Sequence, residues 1–452
     1  MAERTELTSP AMELVPSQAH LGARAFYWVW LGQTVSAFGS SLTAFAMAVW
    51  VYQQTLSLTN FGLVLFVNAI VSALAAPALG VVCDRYPLRR LMLLGDCGSA
   101  VLTAAMLALV ASSSLALWHV VIVVALDAVL NTLHQIAYRA AIPALMPKAA
   151  LARANGLVES GMAASALLAP LVAGGLLMWL GLLGIFLIDL ATFLFAVTTL
   201  LLARFPATSA ATLEISASPS PGFWHELAAG WRYLVERPGL CGLLVVVLAA
   251  SFALASVQVL FTPMILAAHD ARTLGVLTTL GAAGMLLSGL FIALRGRAGS
   301  ARALLVCQAL MALCLLMIGL SQSLWLLGGM LFATYVFSQW GSIAARTIWQ
   351  SEVEASMRGR VFALLSASSA ALVPIAYLAA PMLAEGVLQP WLQSAGPVAR
   401  IATALVGGTG PGSAAALLIA LIGAALLLFS LTAQRHRAWR ALQSITTVAP
   451  QN

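Results

Sequence analysis

The sequence predicts an all-α integral membrane protein: twelve transmembrane helices arranged as two six-helix pseudo-repeats. Three observations predict it. Of 452 residues, 62% are hydrophobic and only 8% are charged, whereas soluble domains carry about 25% charged residues. No soluble core could absorb that excess. The apolar residues fall into twelve runs, each near the length of about 20 residues that a spanning helix needs. The cations collect in alternate gaps between those runs, as the excess of Lys and Arg in cytoplasmic loops requires.

The chain opens with residues 1–23, polar and acidic at Glu3, Glu6 and Glu13 and interrupted by Pro10 and Pro16. They lack the basic start and short apolar core of a signal peptide and read as a disordered cytoplasmic tail. The spans follow at 25–53, 59–82, 91–112, 116–138, 157–180 and 182–203, then 240–268, 273–294, 303–320, 324–349, 361–387 and 412–433. Domain limits follow from them: an N-terminal bundle over 24–204, a linker over 205–238, a C-terminal bundle over 239–433 and a tail over 434–452.

With the amino terminus inside, the even-numbered gaps hold Arg85, Arg89, Arg90, then Arg139, Lys148, Arg153, and so on to Arg346, Arg358, Arg360. The carboxyl tail adds Arg435, Arg437 and Arg440. Of 22 cations, only Arg272 and Arg400 fall on the other side. Both termini are therefore expected in the cytoplasm and the chain in the cell inner (plasma) membrane. The net charge of +7 has the same origin. No basic cluster is interleaved with aromatics, so nucleic acid is not expected as a partner.

The sixth gap begins with FPATSAATLEISASPSPG at 205–222, a linker composition. Phe223, Trp224, Leu227, Trp231, Leu234 and Val235 then recur at helical spacing, which predicts a short amphipathic helix on the membrane surface. The halves resemble each other. Asn155 to Pro170 and Gly359 to Pro374 are both fifteen steps, each leading into a span interrupted by proline. Transporters are commonly built from such repeats, with the substrate site between the halves. Helix 5 carries Gly161, Ser165, Ala169 and Ala173 at every fourth residue, a spacing that lets helices approach closely.

Between spans 2 and 3 stands Gly80-Val-Val-Cys-Asp84-Arg85-Tyr-Pro-Leu-Arg89-Arg90. A charge at mid-bilayer costs roughly 2.5–3.5 kcal/mol on insertion scales, so this is a tight surface loop. With twelve spans in two halves, it resembles the major facilitator superfamily, whose loop motif here reads G-x-x-x-D-R-x-G-R-K. Gly80, Asp84 and Arg85 match; Pro87 stands where glycine is usual, and Arg89 and Arg90 come one place late. The form DRYPLRR, with LIDLATFLFA in span 6 and MRGRVFAL entering span 11, resembles the drug:proton antiporter-3 branch, which includes macrolide-efflux-type exporters. The resemblance implies that Asp84, Arg85, Arg89 and Arg90 gate the transporter against the second half. Asp96, at the cytoplasmic end of span 3, is expected in the same network. The resemblance also implies a peripheral, structural Asp189 in span 6. Glu385, at an outer helix end, reads as solvated.

Asp127 is the candidate coupling residue. It lies mid-way along span 4, and Asn131, His134 or Gln135, and Tyr138 follow on one polar face. A carboxyl group held out of water can exchange protons in the physiological range. In the superfamily's fold, spans 1, 4, 7 and 10 line the central cavity. Their candidate substrate contacts are Gln33, Ser36 and Ser40, then Asn131 and Gln135, then Gln258 and Thr262, then Tyr335, Ser338 and Gln339. Met47, Phe261, Phe337 and Trp340 supply apolar wall. Few charges line this cavity, which favours neutral or cationic amphiphiles over sugars, phosphates or amino acids.

No Walker loop, H-E-x-x-H or G-x-S-x-G occurs, so neither catalysis nor a cofactor is expected. Cys83, Cys97, Cys241, Cys307 and Cys314 show no metal-ligand spacing and read as small hydrophobes. The expected function is monomeric secondary efflux of drug-like molecules or secondary metabolites, driven by proton antiport through alternating access. The alternatives are a dedicated exporter of one metabolite, such as a siderophore or lysolipid, and a non-transporting membrane receptor or scaffold.

Overall fold

The computed structural model describes residues 16–147, 150–203, 223–295, 300–394 and 396–435. Residues 1–15 of the expected tail, the linker 205–222 and the tail from 436 lie outside them. The described residues form helices and short connections. In the first half these are α1 (Pro16–Thr55), α2 (Leu58–Arg85), α3 (Leu88–Ala111), α4 (Leu117–Leu145) and α5 (Leu151–Leu202). The lateral helix α6 (Phe223–Val235) follows. The second half holds α7 (Pro238–Leu266), α8 (Ala271–Arg295), α9 (Ala301–Leu320), α10 (Leu324–Glu352) and α11 (Ala355–Leu383). After a π turn at Ala384–Leu388 come α12 (Gln389–Leu392), α13 (Pro397–Val406) and α14 (Pro411–Ala433).

Among the described residues, ten helices are long and apolar enough to cross a bilayer. Two places account for the difference from the twelve expected spans. The 52 residues of α5 are broken at Gly181, whose φ of 61° and ψ of −170° are non-helical. That backbone is essentially restricted to glycine, and it sits in the predicted gap between spans 5 and 6. The 29 residues of α10 are long enough, but it is not one of the ten; Thr334, Tyr335, Ser338, Gln339 and Arg346 dilute its apolar character. α1 also begins earlier than expected, at Pro16, inside the stretch read as tail.

The helix contacts repeat between halves. α1 packs along α5, and α7 along α14. α4 packs on α2 and α3, as α10 does on α8 and α9. The halves join through α2 with α11 and through α5 with α8, pairs that exchange when the halves are interchanged.

Call the end where α1 begins and α14 finishes the near end. The halves meet at the far one. There Gly275 lies against the Pro170 backbone carbonyl and Gly174 against that of Ala271. Thr279 Oγ1 donates to the Leu167 carbonyl at 3.0 Å. One apolar core spans both halves at this end, with Tyr52, Leu58, Phe61 and Phe186 beside Val257, Leu260, Phe261 and Leu315. At the near end each half keeps its own core, around Met92 and Ile142 in the first and around Trp349 and Leu243 in the second. The molecule is closed at the far end and parted at the near end.

α6 is fastened to the second half, packing on α11 and α7. The Tyr233 hydroxyl accepts from the Glu354 backbone N–H at 3.3 Å. Arg237 lies 3.8 Å from the Tyr233 ring centroid and 3.0 Å from Glu354 Oε1. Ten-residue α13 was not expected. It buries Ala399, Ala402 and Val406 and exposes Val398, Ile401 and Leu405, the pattern of a helix lying along the membrane surface.

Candidate functional site

The site lies inside the first half, where α1, α3, α4 and both parts of α5 enclose a cavity of about 390 Å³. Helical spacing sets its polar wall. On α1, Gln33, Ser36, Ser40 and Thr43 succeed one another every three or four residues and all reach the cavity. Asp96, Ser99 and Thr103 do the same on α3, and Asp127, Asn131, His134 and Tyr138 on α4. The second part of α5 brings Phe186, Asp189 and Phe193. Met47, Met106 and Val123 complete the apolar lining.

Three carboxylates face this space, each with its own donors. Asp127 Oδ1 accepts from Ser99 Oγ at 2.6 Å. Asp96 Oδ2 accepts from Gln33 Nε2 at 2.9 Å, and its Oδ1 lies 3.3 Å from His134 Nε2. Asp189 accepts from Thr43 Oγ1 at 2.8 Å and Ser40 Oγ at 3.4 Å. Among the described residues, no Lys or Arg lines the cavity. The Tyr138 hydroxyl is buried and has no hydrogen-bond partner among the described residues. Two glycines make the close packing possible. A Cβ on Gly95 would stand 2.7 Å from that of His134, and one on Gly39 would stand 2.9 Å from Asp189 Oδ1. A second cavity, in the cleft between α2 and α4, is lined by Asn68, Ser72, Asn131, Gln135 and Arg139 and also reaches Asp127.

Several expectations need correction. Asp96 does not join Arg89 and Arg90. It is 3% exposed and turned into the bundle, because its position on α3 faces Gln33 and His134. Arg89 instead donates to the α5 carbonyls of Leu200 and Leu201 at 3.2 and 2.7 Å. Asp84, Arg85 and Arg90 are exposed, and among the described residues none of the three forms an ion pair with the second half. Asp189 is not peripheral, since α5's second part lies along α1 and carries it inward. Glu385 is not merely solvated. It accepts from Ser57 Oγ at 2.9 Å and from the Thr59 backbone N–H at 2.7 Å.

Of the expected substrate contacts, Gln33, Ser36, Ser40, Asn131 and Gln135 share the first cavity. Gln258, Thr262, Tyr335, Ser338 and Gln339 lie outside it. Gln258 accepts from the Tyr377 hydroxyl at 2.6 Å. Ser338 lines a small cavity of about 60 Å³ in the second half, with Ser251, Gln308 and Phe337. In this closed-far-end arrangement the polar cavity belongs to one half.

Comparisons with known proteins agree with this architecture. A model of the Major Facilitator Superfamily matches residues 29–376. Macrolide efflux protein A of Streptococcus pyogenes is 26% identical over 369 residues, 80% of this chain and 90% of that protein. Macrolide efflux protein A of Enterococcus faecalis is 28% identical over 227 residues, 50% of this chain and 69% of that protein. Among solved structures, a bacterial homolog of the human lysosomal transporter Spinster, inward-facing and unoccupied, superposes with a TM-score of 0.69 at 15% identity, over 96% of this chain and 98% of that one. The nucleoside transporter NupG does so with a TM-score of 0.65 at 12% identity, over 91% and 100%. The apolar spans, the repeated helix contacts and a family match over most of the length agree: this multi-pass membrane protein belongs to the Major Facilitator Superfamily of transporters.

Proposed function

We propose that the protein is a secondary efflux transporter that exchanges small amphipathic compounds for protons by alternating access. One observation carries this reading: three carboxylates, Asp96, Asp127 and Asp189, share a cavity whose lining is partly apolar, at Met47, Met106 and Val123, and which no Lys or Arg among the described residues lines. Such a cavity suits an amphiphile with a neutral or cationic polar end. The efflux direction follows the macrolide efflux proteins that the chain resembles over most of its length.

Asp127 is the coupling residue in this scheme, since it alone of the three borders both cavities. A carboxyl group that accepts a proton in one state and gives it up in the other exchanges it against substrate as the halves rock. The cation distribution supports an orientation with the near end and both termini in the cytoplasm, and in that orientation the present arrangement is inward-open. Asp84, Arg85, Arg89 and Arg90 then lie at the cytoplasmic mouth, where they meet the second half when that mouth closes.

The test is efflux of fluorescent amphiphiles from proteoliposomes, with and without a protonophore. Gradient-driven efflux is expected to collapse with the protonophore, and efflux that ignores it rules out proton coupling. Asp127→Asn is expected to lower gradient-driven efflux at least about ten-fold, the range in which a single ionisable group changes a rate by 1.4 kcal/mol or more. Unchanged protons moved per substrate would remove Asp127 from the mechanism.

A further inference from the structure

We propose that Glu385 is a gate residue: carried by the second half, it caps the N-terminus of α2 in the first and holds the far end shut. The inference rests on the alternating access proposed above, and its test needs no substrate.

The first observation is the pair of hydrogen bonds. Glu385 Oε2 accepts from the Thr59 backbone N–H at 2.7 Å and from Ser57 Oγ at 2.9 Å. Thr59 N–H is one of the first donors of α2, which have no partner within the helix. Ser57 is that helix's own N-cap, its hydroxyl accepting from Asn60 N–H at 3.2 Å. The first turn of α2 is thus capped twice, once locally and once by an acid 326 residues away. A carboxylate bonded to a helix N-terminus gains from both the ionised acceptor and the helix dipole.

The backbone on each side is unusual at these same positions. Glu385 sits in the π turn Ala384–Leu388 that ends α11, and such turns recur at functional sites. Leu56, in the short connection from α1 to α2, has a φ of 48°, a left-handed conformation that a leucine adopts only where its surroundings impose it. One turn further along α2, a Cβ on Gly62 would meet the Tyr377 carbonyl and the Pro381 ring. The two helices therefore touch at backbone level directly beside the capped turn.

The arrangement is one-ended. The far end of the α2–α11 pair is tied by Glu385. At its near end, Asp84 in the last turn of α2 is exposed and makes no ion pair among the described residues. Opening the far end must draw Glu385 off Thr59 and Ser57, returning the cap of α2 to Ser57 alone. Glu385 therefore biases the population toward the far-end-closed state, and the transport cycle must overcome it in each turnover.

The experiment is a distance measurement between spin labels at Ala111→Cys and Ser323→Cys, both exposed at far-end helix boundaries. Cys97 and Cys241 are replaced by serine, and Cys83, Cys307 and Cys314 are buried. The full chain is studied in lipid nanodiscs. Glu385→Gln is expected to raise the ratio of long to short distances about five-fold, the change that losing one helix-end charge produces. Glu385→Asp is expected to restore part of the short population. Ser57→Ala removes the local cap from both states but the donor to Glu385 from the closed one alone, and is expected to shift the ratio in the same direction by about two-fold. Unchanged distances in folded Glu385→Gln and Ser57→Ala proteins overturn the proposal. So does a lowered melting temperature with no change in distances, because Glu385 would then be a fixed structural cap.

Discussion

Asp189 illustrates how a carboxylate is accommodated in a bundle like this one. It is 2% exposed, and its carboxylate accepts from two α1 hydroxyls, those of Thr43 and Ser40. Thr43→Val keeps the shape and removes the 2.8 Å donor. Leaving a buried acceptor short of a partner costs about 1–3 kcal/mol. The variant is therefore expected to unfold at a lower temperature in detergent, and an unchanged melting temperature would count against the hydrogen bond as Asp189's main support. The same logic separates what the sequence reveals at residue level from what it hides. Asp127, Asn131, His134 and Tyr138 are legible as one face because helical spacing fixes their relative direction. Which helix that face meets is not encoded in spacing. Proximity in sequence points Asp96 to Arg89 and Arg90, whereas its partners Gln33 and His134 come from α1 and α4.

At the level of elements, the break in α5 falls at the one residue between the expected spans 157–180 and 182–203. Gly181 has a φ of 61° and a ψ of −170°, and a side chain there costs about 1–3 kcal/mol. Gly181→Val is expected to lower stability by that amount and to displace the second part of α5, loosening the contact of Asp189 with Thr43. Comparison with Gly175→Val gives a control, since a Cβ at Gly175 meets nothing within 4 Å and its φ is not positive. Equal losses in both variants, measured by thermal unfolding, would remove the special role of Gly181. By contrast, α13 is not among the expected spans. Its ten residues are too short to span a bilayer, so the length of an apolar run does not reveal them. Their signal was the spacing of Val398, Ile401 and Leu405 on the exposed side and Ala399, Ala402 and Val406 on the buried one.

For the molecule as a whole, the two-fold repeat and the sidedness of the cations were present in the sequence, but the state was not. Nothing in a linear pattern says which end of a symmetric pair of bundles is closed. That is decided by small contacts at the far end, where glycines allow backbones to touch across the halves. A Cβ on Gly275 would meet the Pro170 carbonyl, and one on Gly174 would stand 2.7 Å from that of Ala271. Backbone carbonyls cannot swing aside as a flexible side chain can. Overpacking of this kind costs roughly 1–3 kcal/mol, and here the strain falls only on the far-end-closed state. Gly275→Ala is therefore expected to open the far end and favour closure of the near end. Hydrogen exchange should then quicken about ten-fold in the facing segments 167–174 and 271–279. Segments 80–90 and 354–360, at the near ends of α2 and α11, should slow as they come together. Faster exchange at both ends would mean general loosening instead, and would locate the contact energy elsewhere than in the crossing of α5 and α8.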